Sequence, residues 1–161
     1  MVQVTLRAMT PPEYDAWRPA AIAAYADDHI RAGSMPADSA HEMAEKQFTD
    51  LLPDGVSTRE HRLLVPEVDD SAAGILWLHI PVDAPAPAAF IYDILVHDHL
   101  RGRGIGRGIM LAAEDYARAQ GAVSMRLHVF GDNTVARHLY ESLGYDVTNV
   151  QMSKPLDIAP G

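Results

Sequence analysis

The ten residues HLRGRGIGRG, 99–108, hold four glycines and three arginines. Glycine lets backbone N–H groups approach a ligand closely, arginine adds positive charge, and a following helix adds the positive end of its dipole. The chemistry open to such a turn is the binding of an anion, above all a phosphate. Two familiar phosphate loops fail on spacing. A P-loop needs G-x-x-x-x-G-K-[ST], and no lysine stands near. A dinucleotide fingerprint needs G-x-G-x-x-G, and Gly102-Arg103-Gly104 is not followed by a glycine at the required place. One further side chain asks for a reason: Asp93 is a carboxylate inside the apolar run AAFIYDILV, which would suit a base, a cation anchor or a paired structural residue.

The elements that must position these groups read as follows. Residues 2–8 alternate as a first strand. Thr10-Pro11-Pro12-Glu13 has the spacing of a capping box, opening a helix that carries Tyr14, Trp17, Ile22 and Tyr25 and stops near Gly33. A second helix is expected from Ser39 to Leu52. Strands are expected at 61–68, 72–82 and 88–98. A helix then runs from Ile105 to Gln120 with Gly121 as its cap, followed by a strand at 122–130, a helix at 133–143 closed by Gly144, and a last strand at 145–156. The order β-α-α-β-β-β-α-β-α-β predicts one α/β domain over residues 1–161.

Composition narrows the function. The chain has 161 residues and carries 22 acidic against 13 basic side chains, a net charge of −9. That field repels nucleic acid, which speaks against reading the arginine–glycine turn as a nucleic-acid contact. Zero cysteines exclude a disulfide framework, a thiolate metal site and an acyl-cysteine intermediate. No His and carboxylate spacing suggests a metal. No apolar run reaches membrane length and the N-terminal residues lack the pattern of a signal peptide, so a cytoplasmic protein is expected.

Arg101-Gly102-Arg103-Gly104-Ile105-Gly106 resembles Arg/Gln-x-x-Gly-x-Gly/Ala, the pyrophosphate loop of the GNAT superfamily of N-acetyltransferases. The segment LHVFGDNTVARHLYESLGY is similar to the strand and helix that follow in that family, with Asn133, Tyr140, Leu143, Gly144 and Tyr145 in the matching places. The C-terminal half looks like the ribosomal-protein-alanine type. The resemblance is specific over about 72–156 and loose over the first two helices. It implies a GNAT fold with a mixed central sheet in which two parallel strands, Phe90–His97 and Ser124–Phe130, splay apart to admit acetyl-CoA as cosubstrate.

By the same resemblance, backbone of Ile94, Leu95 and Val96 would pair with the pantetheine arm, and amides from Gly102 through Gly104, Ile105 and Gly106 to Arg107 would hold the pyrophosphate. Arg101, Arg103 and Arg107 would add charge toward the ribose phosphate or face water. Asn133 would bond the arm or cap its own helix, two roles that are compatible. Val96 N–H would receive the oxyanion. Tyr140 would be the acid for the departing thiolate, and otherwise a core tyrosine. The base is His128 or Asp93, and each has a plain structural alternative as a half-exposed strand residue or a paired carboxylate.

The activity implied is acetyl transfer to a primary amine of a small molecule or a peptide N-terminus. Asp27, Asp28, His29 and Glu42 would suit a cationic acceptor if they line the cleft, although charges at a helix end are usually solvated. The alternative is a GNAT-fold sensor that binds acyl-CoA without turnover. A homodimer, as in many relatives, is open.

Overall fold

A computed structural model describes residues 1–157. Ten regular elements follow in the chain: β1 (Thr5–Ala8), α1 (Pro11–Arg31), α2 (Ala40–Leu51), β2 (His61–Val68), β3 (Ser71–Ala72), β4 (Gly74–His79), β5 (Ala88–Val96), α3 (Ile105–Ala119), β6 (Ser124–Leu127) and α4 (Thr134–Ser142). The six strands form one mixed sheet in the order β1-β2-β4-β5-β6, with the short β3 paired to β2. All pairs are antiparallel except β5 with β6. The chain falls into two compact units, one ending at His128 and one beginning at Val129.

The first helix starts where its capping signals stand. Thr10 Oγ1 accepts from Glu13 N, while Glu13 Oε1 accepts from Thr10 N at 3.0 Å, so two orphan amides are satisfied reciprocally. Arg7 reaches across from β1 to both Glu13 and Glu67, and its guanidinium holds the Glu13 carboxyl down to about 2. This ties the helix start to the sheet edge.

The period-2 pattern of β2 sends alternate residues to opposite faces. Leu63 and Val65 join Trp17, Ile22, Phe48 and Trp77 in the core beneath α1 and α2. Leu64 and Pro66 are also buried but belong to the opposite face. In α3, Ile109, Met110 and Ala113 are fully buried, and Gly108 brings the helix so near the N-terminal residues that a Cβ there would meet Val4 Cγ2 at 2.7 Å.

One expected element does not form. Residues 145–156 make no strand, and Val147, Val150 and Met152 are exposed. A strand needs a neighbour to take its backbone bonds. The alternating sequence YDVTNVQM has none, because β6 pairs only with β5 among the described residues.

Candidate active site

Ile105 anchors the glycine turn: its side chain is buried while the residues from Arg101 to Gly104 are exposed. Gly102 and Gly104 have φ of +74° and +77°, the left-handed region that side chains disfavour. Gly104 is the N-cap of α3 and offers no side chain to cap it, so the first amides of the helix remain open to an anion.

The three arginines do not share one task. Arg101 Nε donates to Val96 O at 3.2 Å, and its terminal nitrogen pairs with Asp98 at 3.0 Å. Arg101 thus ties the turn to the end of β5. Arg103 instead lines an open groove of about 360 Å³ with Val2, Val68 and Ser71.

The neighbouring strand is built to leave an edge open. β5 pairs with β6 only from Ala88↔Ser124 to Ile91↔Leu127. Beyond that rung, Asp93 to Val96 keep β4 as their partner, and none of Tyr92 to Val96 has a strand on the other side among the described residues. The parallel strands thus part where the resemblance expects a cleft. Ile94, Leu95 and Val96 all lie on this stretch.

The β4–β5 ladder carries a bulge at the same place. Trp77 opposes Asp93 and Leu78 opposes Ile91, so Tyr92 is the extra residue. Asp93 is half-buried. Burial raises its pKa above the ordinary carboxylate range, and the charge of Asp28 raises it further. Hydrogen bonds from Trp17 and from the Ile94 amide oppose the shift without cancelling it.

Several groups around the bulge escaped the sequence reading. Trp77 Nε1 donates to His61 Nδ1 at 2.9 Å. His61 lies opposite His79 in the β2–β4 ladder, with ring centroids 4.7 Å apart. Burial pushes the His61 pKa down to about 4, helped by His79 and Arg62. Tyr92 stacks on Trp77 at 4.8 Å and 24°. Nothing in HRLLVPEV or GILWLH announces this cluster, because it depends on strand register. On α1, His29 hydrogen-bonds Ser34 at 2.6 Å and has a lowered pKa, first from burial and then from His128. His128 is exposed just past β6.

In the second unit, Asn133 Oδ1 accepts from Ala136 N at 3.2 Å, which is the helix-capping role. Tyr140 is a buried phenol on α4 whose ring lies 6.1 Å from that of Tyr145.

The profile of the acetyltransferase (GNAT) family matches residues 15–145. The chain is 37% identical over 133 residues to the uncharacterized N-acetyltransferase YycN of Bacillus subtilis (strain 168), covering 82% of this chain and 85% of that one. The crystal structure of that putative acetyltransferase superposes with a TM-score of 0.93 at 33% identity, covering 97% of this chain and all of the other. A mycothiol acetyltransferase of Sanguibacter keddieii is 32% identical over 160 residues, 96% of this chain but 48% of its own length. The chain therefore spans about half of that relative.

Proposed function

This chain belongs to the acetyltransferase (GNAT) family and is an acyltransferase, and we propose that it moves an acetyl group from acetyl-CoA directly to a primary amine. The observation that carries the reading is the pairing of two features at one end of β5. There the edge of the strand carries no neighbour from Tyr92 to Val96 among the described residues, and the chain passes through the left-handed glycines into the uncapped start of α3. The first feature suits an extended pantetheine arm and the second a pyrophosphate. Gly102, Gly104, Gly106 and the amides up to Arg107 take the pyrophosphate, with Arg103 and Arg107 adding charge. Family membership favours an enzyme over a silent acyl-CoA sensor, and one family match spanning 15–145 is consistent with the proposed single domain.

In this mechanism Asp93 takes the proton of the attacking amine. Its raised pKa makes it a stronger base than an ordinary carboxylate, and its half-burial keeps it close to bound substrate. His128 is the alternative base, acting through water. The Val96 amide receives the oxyanion, and Tyr140 returns a proton to the thiolate sulfur. A phenol and a thiol have similar basicity, which suits that last transfer. With zero cysteines, the acetyl group does not pass through an enzyme thioester. Asn133 supports the pantetheine arm while capping α4. The net charge of −9 supports an enzyme that does not act on nucleic acid, and its proposed setting is the cytoplasm. Asp28 and Asp93 support a cationic acceptor, either a small molecule or a peptide N-terminus.

Thermal unfolding with acetyl-CoA, CoA and NAD tests the reading. At a hundredfold excess over its dissociation constant a ligand adds about 2.7 kcal/mol, several degrees in Tm. A shift with both CoA forms and none with NAD is the expected result. No shift with either CoA form would remove the assignment of the glycine turn.

A further inference from the structure

The bulge in β5 places an aromatic ring where a regular strand would not. Tyr92 is the unpaired residue of the ladder and is 40% exposed, although its ring rests on the buried indole of Trp77. Phe90 packs edge-on against it at 4.8 Å, and His61 lies 5.7 Å away. A tyrosine held on one side by an indole and propped at its edge by a phenyl ring cannot swing freely, and its exposed surface is a fixed flat platform.

His61 completes the feature. Its Nδ1 accepts the Trp77 indole proton at 2.9 Å, so the neutral ring must carry its own proton on Nε2. Nε2 has no protein acceptor among the described residues and is not sealed from solvent. With its pKa near 4, the ring stays neutral throughout the physiological range. It is therefore a permanent donor rather than a cation, and does not repel an ammonium group. Arg62 is the charged group beside His61, and Asp28 is the charge beside Asp93.

We propose that Tyr92 and His61 select the acceptor: a ring-bearing primary amine lies against Tyr92, accepts a hydrogen bond from His61 Nε2, and offers its nitrogen to Asp93. Trp77 acts as a positioning residue, holding the tyrosine ring with its face and the histidine tautomer with its N–H. The inference rests on the acetyl-transfer reading above and adds the shape of the acceptor. A flat platform discriminates ring from chain, because a linear amine must be ordered along its length to make the same contact.

The test uses the full chain in a thiol-release assay with acetyl-CoA. Glucosamine and benzylamine serve as ring acceptors and n-butylamine as the linear one. Wild type is expected to show lower KM for at least one ring amine than for n-butylamine. Tyr92→Leu should raise the ring-amine KM about tenfold relative to that of n-butylamine, while Tyr92→Phe keeps the preference. His61→Ala should raise KM for glucosamine without a matching fall in kcat, and His61→Gln, which places an N–H near the same point, should restore it. Each variant is first checked for its acetyl-CoA thermal shift. A shift in wild type together with no ring preference, or with equal effects of Tyr92→Leu on ring and linear acceptors, overturns this inference and leaves acetyl-CoA binding standing. Failure of both ring amines to react or to show binding by saturation-transfer NMR overturns it as well. No acetyl-CoA shift in wild type overturns both readings.

Discussion

Trp77 stands opposite Asp93 in the β4–β5 ladder, and the next rung joins Leu78 to Ile91. One skipped residue therefore sets three groups at once. It frees Tyr92 from the ladder, brings Asp93 to the Trp17 indole, and leaves Trp77 able to donate to His61. The bulge lies one rung past the last β5–β6 pair, so the irregularity of the sheet and the open edge of β5 fall together.

Asp93→Asn separates the catalytic from the structural role of this carboxyl. A base must be deprotonated, and burial with the charge of Asp28 raises the Asp93 pKa. The acid limb of kcat/KM is thus expected above the ordinary carboxylate range. The variant should lose that limb and about a hundredfold in kcat/KM. Stability should move the other way. A carboxyl whose pKa is raised by folding favours the native state at low pH and loses that contribution as pH rises through the folded value. Replacement by neutral Asn, which still accepts from Trp17 and the Ile94 amide, should raise Tm at neutral pH and leave it unchanged in acid. A persistent limb with a lowered Tm would move the base to His128.

Tyr140→Phe removes a hydroxyl and keeps a buried ring. If the phenol protonates the thiolate, kcat should drop roughly a hundredfold or more while the acetyl-CoA thermal shift survives. Steady-state kinetics beside that shift decide the point. Unchanged kcat would return Tyr140 to the core of its helix.

Gly74→Ala tests the strand beneath the proposed pantetheine site. Gly74 opposes Val96, and a Cβ there would fall 1.8 Å from Leu95 O. Backbone cannot yield as a flexible side chain does, so β4 and β5 must separate. The cost should be about 3 kcal/mol by urea denaturation, with weakened acetyl-CoA binding in whatever remains folded. A variant of wild-type stability would contradict the closeness of the two strands.

Local signals explain why much of this was readable. Thr10 and Glu13 sit three residues apart and form their box; Gly33, Gly121 and Gly144 have left-handed φ after helices that stop where they stand. The glycine turn was likewise visible, because a phosphate site is built from contiguous backbone. What the sequence hid is what register creates. Nothing local tells that Trp77 reaches His61, sixteen residues away, or that Tyr92 is skipped. The partners of Arg101, Val96 O and Asp98, were hidden for a related reason: they are supplied by how the chain turns back at the end of β5. The strand expected at 145–156 failed because alternation describes a face, and does not supply a neighbour.

Two substitutions at Gly104 distinguish a structural glycine from a ligand-binding one. Gly104 sits at φ +77°, and a Cβ would meet nothing nearer than Val2 Cγ2 at 3.9 Å. Gly104→Ala therefore carries conformational strain alone, about 1–2 kcal/mol, and should weaken acetyl-CoA binding as the turn relaxes. Gly104→Asn is more telling. Asparagine tolerates the left-handed region and is among the best N-caps, so it should lose little stability. Its side chain would then accept from the very amides at the start of α3 that the pyrophosphate is proposed to use. A variant as stable as wild type with acetyl-CoA affinity down roughly tenfold, read by calorimetry, is the expected result. Undiminished affinity in Gly104→Asn would mean that those amides do not hold the phosphate.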